Sequence, residues 1–243
     1  NLADGCTWLE IQLDPTSYAP LLGGYEAVVE VALDAMEGKP CALIIASSWA
    51  KSGEHATALA KLATRYTKVA GFGMSNDERR GRIEDFAEAF RIATDAGLIS
   101  VPHGGFFEDA WHVRACVDVL GAKRIGHGIT AMRDEPTLRH LAEHQVALEV
   151  CPTSYPPFGV AIYESLPIRE VLAAGVPVAL ASDDPLIFGA DVTAQYAIAR
   201  EVIGLSDKEL AAIARHSITA STAPDDIKQQ TLDAIESWSG TTP

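Results

Sequence analysis

Residues 99–105 read ISVPHGG, an apolar run that stops at His103 and is followed by two glycines. The same pattern recurs in RIGHGI (124–129), which stops at His127, and in VALASDDP (178–185), which stops at a pair of aspartates. Apolar runs that end at reactive side chains are typical of the strands of a (β/α)-barrel enzyme, because such barrels build their sites at the carboxyl ends of their strands. These segments therefore predict a fold class and a site together.

Seven apolar runs rich in β-branched residues alternate with stretches of helical periodicity. The runs are TWLEIQL (7–13), CALIIAS (41–47), VAGFGM (69–74), LISVPH (98–103), RIGHG (124–128), VALEVC (146–151) and VPVALAS (176–182). Strands that alternate with helices through short loops predict a parallel sheet with helices outside it. Seven strands are one fewer than a closed barrel needs. We therefore expect an α/β fold of the (β/α)8 TIM-barrel type whose first strand is missing from the chain.

Helical periodicity predicts the segments that cover the sheet. The predicted helices span residues 25–36, 55–68, 83–97, 110–121, 135–145, 190–203, 206–221 and 225–238. Ser206 and Glu209 have the spacing of a capping box at the start of one of them. We find no low-complexity linker and no repeat beyond the strand–helix unit, so we expect one domain over residues 1–243. The chain starts at Asn1 rather than at a methionine, and we expect that domain to be incomplete at its N-terminus.

Composition narrows the classes of partner. The chain has 243 residues, 48% of them hydrophobic, which suits one large core. A net charge of −14 argues against a nucleic-acid backbone or an anionic membrane as the partner and leaves a small-molecule substrate. Without a signal peptide or an apolar run long enough to span a bilayer, we expect a cytoplasmic protein. The oligomeric state is not indicated. We expect the four cysteines, which lack CxxC spacing, to be structural thiols: Cys6, Cys41, Cys116 and Cys151.

The strand-end residues are candidates for binding a metal and for accepting a proton or holding a substrate. His103, at a strand tip before glycines, is placed to bind a metal through a ring nitrogen, and its alternative is a histidine hydrogen-bonded in the barrel mouth. The presence of Asp183 favours the metal ligand. Adjacent Asp183 and Asp184 point in different directions, so that one binds metal or accepts a proton and the other holds substrate. The alternative for this pair is an ordinary turn.

Other candidates carry a functional and a structural interpretation. His127 is either a general base or an electrostatic stabiliser of a developing oxyanion, or else a packing histidine. The DERR segment (77–80) is either a substrate loop or a charged, capped helix start. We expect His112 to be a surface or helix-end residue.

RIGHGI, LEVCPTS and SDDP, in this order and spacing, resemble the adenosine/AMP deaminase family of the amidohydrolase superfamily. GFGMSNDERRG (71–81) adds a similarity to actinobacterial adenosine and aminofutalosine deaminase-like proteins. The resemblance covers nearly the whole chain. It implies a metal-dependent (β/α)8 barrel in which one Zn²⁺ activates a water that attacks the purine carbon bearing the exocyclic amine. The implied substrate is a purine nucleoside or a related small molecule.

The family pattern also implies roles for individual residues. By this resemblance His103 is a zinc ligand, and His127 steers and deprotonates the water. Asp183 ligates zinc and shares the handling of the proton, while Asp184 holds the purine ring. Asn76 is expected near the substrate.

Two departures from the family pattern concern the site itself. The family's first strand carries a His-X-His pair that supplies two zinc ligands, and this chain has no such pair. A catalytic zinc normally has three or more protein ligands, so His103 and Asp183 alone form an incomplete set.

The second departure is the loss of the family's acid. The family motif His-Ala/Gly-Gly-Glu ends in a glutamate that protonates the ring nitrogen, and here Phe106 takes that place after Gly105. Glu108, two residues on, is the candidate replacement for the acid. Tyr155 stands where bacterial relatives usually have asparagine, so Phe106, Tyr155 and Trp49 predict a more aromatic and less acidic pocket. Gly105 is expected among the substrate-binding residues.

Three hypotheses follow. The first is an adenosine-deaminase-like, zinc-dependent hydrolase with an altered site. The second is a non-deaminating enzyme of the same fold with an aromatic pocket. The third is a catalytically inactive homologue that binds a ligand.

Overall fold

The structure is a computed structural model that describes the backbone of residues 1–241 and the side chains of residues 1–239. Its centre is a curved sheet of seven parallel strands that follow one another in chain order. The strands are β1 (Leu9–Leu13), β2 (Cys41–Ser48), β3 (Val69–Ser75), β4 (Ile99–Gly104), β5 (Arg124–His127), β6 (Ala147–Val150) and β7 (Val178–Leu180). All seven predicted strands are confirmed.

Helices connect the strands and pack outside them. They are α1 (Ala19–Leu22), α2 (Tyr25–Ala35), α3 (Gly53–Ala63), α4 (Ala87–Asp95), α5 (Ala110–Leu120), α6 (Glu135–His144), α7 (Ile168–Ala173), α8 (Pro185–Phe188), α9 (Val192–Glu201), α10 (Asp207–Ala220) and α11 (Asp225–Thr241). All eight predicted helices are confirmed, and the capping box of Ser206 and Glu209 opens α10. The short helices α1, α7 and α8 were not predicted, because their four to six residues are too few to show a helical period.

Single turns of 3-10 helix fill several loops. They span Leu2–Asp4, Glu78–Arg80, Ile83–Phe86, Ile129–Arg133, Pro152–Ser154, Pro156–Phe158 and Tyr163–Ser165. Turns that follow β3, β5 and β6 lie at the carboxyl edge of the sheet, where the predicted site residues also lie.

Burial explains why the strands read as apolar runs. All eight residues of β2 are buried, since helices cover one face of the sheet and the barrel interior takes the other. The helix α3 packs on β2, α5 packs on β4 and α10 packs on β7. Among the helices described for residues 1–241, none has the length and apolar character needed to cross a bilayer.

The sheet is open between its two outer strands. Within residues 1–241 no strand pairs with the free edges of β1 and β7, so the first strand of an eight-stranded barrel is missing, as expected. The N-terminal residue lies near this opening: the Asn1 side-chain amide donates to Ser182 Oγ at 2.8 Å and accepts from the Val192 backbone N–H at 3.0 Å. The interior of the barrel is therefore continuous with the space under the C-terminal helices.

A buried ion cluster ties the strands together inside the sheet. Arg124, at the start of β5, pairs with Glu149 of β6 at 2.7 Å and with Glu10 of β1, and donates to the Ala220 carbonyl at 3.0 Å. Glu10 also accepts the Thr222 backbone N–H at 2.6 Å. Burial raises the pKa of the Glu149 carboxyl; Glu10 is buried too, but the Arg124 charge and Thr222 hold its pKa below the ordinary value.

Arg124→Met is expected to lower the free energy of unfolding by about 3–5 kcal/mol, because it leaves two largely buried carboxylates, whose side chains are 10% and 26% exposed, without their cation. Denaturant titration measures this change. The matched control is Arg91→Met, which removes an exposed arginine that pairs with Glu88 and Asp95 on α4. Its expected cost is about 1 kcal/mol or less. Equal losses in the two variants would contradict a stabilising role for the buried cluster.

Candidate active site

A cavity of about 1700 Å³ opens at the carboxyl edge of the sheet. His103, His127, Asp183 and Asp184 line it, and it continues past the open edge of the sheet to Trp238 of α11. Small-molecule pockets are usually about 300–1,000 Å³. The larger volume follows from the open sheet, since no eighth strand in the described part of the chain separates the strand ends from the C-terminal helices.

Backbone conformation singles out three strand-end residues. Asn76 after β3, His127 at the end of β5 and Asp183 after β7 have φ angles of 67°, 71° and 53°. The one other non-glycine residue with positive φ among those described is Gln145, which caps α6. Residues other than glycine rarely adopt this backbone conformation, because it costs about 1–3 kcal/mol of conformational free energy. Residues strained in this way cluster at functional sites. Three of the residues predicted from sequence carry it.

Three potential metal ligands lie close together at this edge. One donor atom each of His127, Cys151 and Asp183 falls within 4.8 Å of the others, and His127 Nε2 lies 3.9 Å from Asp183 Oδ2. Nitrogen, sulfur and carboxylate oxygen are the ligands that zinc takes in proteins. His103 is outside this trio, although its ring centroid is 4.7 Å from that of His127. The donor set fits a divalent transition metal.

Burial sets the protonation of these groups. It lowers the pKa of the His127 imidazole well below the ordinary value, and the nearby His103 adds to that effect. Burial raises the pKa of the Asp183 carboxyl, and a hydrogen bond from Ser154 only partly offsets this rise. Burial also raises the pKa of the Cys151 thiol. For each of the three groups, burial shifts the equilibrium toward the neutral form. Cys151, expected to be only a structural thiol, is a free thiol beside two site residues.

His103 is held from two sides. The buried Trp49 indole donates from Nε1 to the His103 carbonyl at 2.9 Å, and His103 Nδ1 lies 3.5 Å from Oε2 of Glu78. Glu78 is 1% exposed, although it lies in the charged DERR segment. Its Oε1 accepts the backbone N–H groups of Phe106, Phe107 and Glu108 at 2.6, 2.7 and 3.1 Å.

The DERR segment is a charged, capped turn, and its role as a substrate loop stays a prediction. Asp77 accepts the Arg79 backbone N–H at 3.1 Å and starts a capped 3-10 turn, while Asp77 and Arg80 line the cavity. Neither interpretation included Glu78 as a buried carboxylate. The sequence offers only a weak signal for this residue, namely a glutamate directly after the aspartate that caps a charged turn.

Aromatic rings surround Phe106, the residue expected to replace the family's acid. The Phe106 ring is 6% exposed, and its centroid lies 4.7 Å from those of His127 and Phe107, 5.5 Å from that of Phe158 and 5.9 Å from that of Tyr155. We call Phe106, Phe107, Tyr155 and Phe158 the aromatic cluster. It places an apolar ring directly against His127.

Glu108 is not brought to this place. It is half-buried, does not line the cavity, and its carbonyl accepts from Thr130 Oγ1 at 2.7 Å. Its role as the replacement acid stays a prediction, and this arrangement does not favour it.

The other predicted substrate residues divide into two groups. Asn76 and Asp184 line the cavity, and Asn76 donates to Ser75 Oγ at 3.0 Å. Tyr155 is fully buried, and its hydroxyl accepts the Cys151 backbone N–H at 2.8 Å. Gly105 is required by the turn, since it has φ +63° and a Cβ there would lie 2.4 Å from Val113 Cγ2. Tyr155 and Gly105 do not line the cavity and shape the site from behind it.

His112 lies in the first turn of α5, which agrees with the expected helix-end position, but it is not a surface residue. This side chain is 1% exposed, packs edge-on against Trp49 with ring centroids 5.2 Å apart, and has its pKa lowered to about 4 by burial. The first turn of α5 faces the sheet, which the helical period alone does not reveal.

Comparison with known proteins assigns the family. The model of the family described as "Adenosine deaminase" matches residues 1–238. The chain belongs to the adenosine deaminase family. This confirms the resemblance seen in RIGHGI, LEVCPTS and SDDP.

The chain is similar in sequence and structure to named members of this family. A "Putative adenosine/adenine deaminase" of Streptomyces coelicolor is 48% identical over 249 residues, which cover 98% of this chain and 72% of the relative. An "Aminodeoxyfutalosine deaminase" of the same organism is 37% identical over 190 residues, or 76% of this chain and 49% of the relative. The crystal structure of adenine deaminase from Arthrobacter aurescens superposes with a TM-score of 0.88 at 31% identity, covering 98% of this chain and 76% of that one. The barrel fold is confirmed.

Proposed function

We propose that this chain is a zinc-dependent hydrolytic deaminase that acts on a purine base or purine nucleoside. The observation that carries the proposal is the close grouping of His127, Cys151 and Asp183 donors at the carboxyl edge of the sheet, beside His103. The relatives named adenine and adenosine/adenine deaminases support the purine as the substrate class. The net charge of −14 supports a small-molecule partner over nucleic acid or membrane, and we propose a cytoplasmic location.

His103 and Asp183 would hold the metal, and Cys151, which has a donor atom within 4.8 Å of those of Asp183 and His127, offers a further ligand atom on the Asp183 side. A bound zinc ion supplies a water whose pKa is lowered to about 7. Neutral His127 lies 3.9 Å from Asp183 and is placed to orient that water and accept its proton. In the net reaction a C–O bond forms at the purine carbon, the C–N bond to the exocyclic amine breaks, and ammonia leaves with the transferred proton.

The cavity walls would bind the purine. Phe106, Phe107 and Phe158 line the cavity and offer ring faces or edges to a flat heterocycle. Asp184, at the exposed rim, accepts a hydrogen bond from the ligand. The cavity leaves room for a sugar beside the base, so both adenine and adenosine are candidates.

Phe106 favours a second candidate function. Its ring packs 4.7 Å from His127, where the family has its acid. A reaction that needs no protonation of the ring nitrogen would proceed in such a site, so a non-deaminating hydrolase of the same fold is the alternative proposal.

Metal content and ammonia release together test the proposal. The purified protein is analysed by elemental mass spectrometry before and after dialysis against zinc, and is then assayed with adenine and with adenosine. We expect about one zinc per chain, and ammonia from one of the two substrates. Zinc without ammonia release from either substrate supports the non-deaminating alternative. The absence of metal after dialysis would contradict both candidates.

A further inference from the structure

Glu78 is a buried carboxylate that the proposed chemistry does not use. Its Oε1 accepts three successive backbone N–H groups, those of residues 106–108, at 2.6 to 3.1 Å. Three donors converging on one oxygen form an anion site made of backbone, and such a site stabilises the carboxylate form of the side chain. The carboxylate is therefore fixed in position and charged.

The second oxygen of Glu78 faces His103. Oε2 lies 3.5 Å from His103 Nδ1, and neither atom has a hydrogen-bond partner among the residues that the structure describes. The separation is longer than that of an ordinary N–H···O bond, typically about 2.7–3.2 Å. Two buried polar atoms with no other partner are therefore aimed at each other.

This contact decides which ring nitrogen of His103 carries the proton. A neutral imidazole has one N–H and one lone pair. A lone pair on Nδ1 would face a carboxylate oxygen and be repelled, whereas an N–H there is attracted. Nδ1 is buried, while the side chain is partly exposed and lines the cavity, so Nε2 keeps the lone pair for the cavity side.

We propose that Glu78 is a positioning residue that holds His103 in the Nδ1–H tautomer and ties the 106–108 loop to the same carboxylate. Metal-binding histidines usually donate their second N–H to a carboxylate or carbonyl, which fixes the ring and leaves the other nitrogen for the metal. The tautomer follows from the contacts alone; its consequence for metal binding rests on the proposed function. One carboxylate thereby couples a predicted ligand to the loop that carries Phe106.

Glu78→Gln is the variant that separates the two duties of this side chain. The three backbone N–H groups require an oxygen, so the amide oxygen takes the Oε1 place and the NH₂ turns toward His103. An NH₂ donor facing Nδ1 requires a lone pair there, and the proton moves to Nε2. The loop keeps its oxygen, and the site loses the nitrogen that would bind metal.

The tautomer is measured on the metal-free protein. Two-bond ¹H–¹⁵N NMR spectra identify the protonated ring nitrogen, and the signals of His103 are assigned by their loss in His103→Asn. We expect Nδ1–H in the unsubstituted protein and Nε2–H in Glu78→Gln. The control is Glu88→Gln, an exposed glutamate paired with Arg91, which should leave the tautomer unchanged. An Nε2–H tautomer in the unsubstituted protein would overturn the proposal, whether or not Glu78→Gln folds.

Zinc affinity supplies the second readout. Removing a carboxylate that orients a metal-binding histidine typically weakens metal binding about 10–100-fold, and we expect that loss in competition titrations of Glu78→Gln but not of Glu88→Gln. If the tautomer changes as expected while the unsubstituted protein binds no zinc, the inference about Glu78 stands and the proposed function falls. If zinc binds and Glu78→Gln keeps both the tautomer and the affinity, the inference falls and the proposed function stands.

Discussion

Asp183→Ala is expected to abolish deamination, with a loss in kcat/KM of about 10²–10⁴-fold or more. The residue combines a proposed metal-ligand role with a carboxylate 3.9 Å from His127 Nε2, so its removal affects two parts of the site at once. Burial raises the pKa of this carboxyl, which leaves a cation as the natural partner of its charged form. Steady-state kinetics of ammonia release and the zinc content of the variant measure the effect.

The adjacent Asp184 provides the matched control. It lines the cavity and is proposed to hold the substrate, so Asp184→Ala should raise KM while zinc content stays unchanged. Unchanged turnover and full zinc content in Asp183→Ala would remove Asp183 from both of its proposed roles.

Phe106→Glu is expected to raise deamination of adenine or adenosine by about 10²–10⁴-fold, the usual contribution of a general acid. The Phe106 ring is buried against His127, and the sequence motif predicts that it takes the place of the family's acid. A glutamate there puts a carboxyl group in an apolar setting, which raises its pKa and keeps it protonated as a proton donor. The comparison of kcat/KM before and after the substitution measures the gain.

Phe106→Gln separates the effect of an acidic proton from the effect of a smaller side chain at this position. Glutamine has nearly the same size as glutamate and has no acidic proton, so its kcat/KM should stay near that of the unsubstituted protein. An equal gain in both variants would show that relief of crowding, rather than an acid, limits the reaction. No gain in either would count against a deaminase-type geometry around His127.

Most of the fold was predictable because its signal is local. A β-strand buried on both faces must be apolar along its whole length, as β2 is, and such a run is visible in any single sequence. The one-domain organisation and the incomplete N-terminus stay predictions. The short helices α1, α7 and α8 were not predicted, because a helical period needs more residues than they have.

The candidate site was predictable where a residue ends a strand. His103, His127, Asp183 and Asp184 were found in this way, since parallel strands bring their carboxyl ends to one edge, and all four line the cavity. The direction in which a loop side chain points was not predictable from the sequence. Glu108 does not line the cavity and Tyr155 bonds to Cys151, because the turn geometry between residues decides where their side chains point.

The sequence by itself determined the strand–helix order, the family and the residues at the strand ends, because each depends on neighbours along the chain. Only the tertiary structure decided the contacts of Glu78, which accepts hydrogen bonds from backbone N–H groups 28 to 30 residues away and leaves no mark in their side chains. The same holds for the approach of Cys151 to His127 and Asp183, since the three residues end different strands. Contacts between distant segments depend on sheet curvature and strand register, which no local pattern encodes.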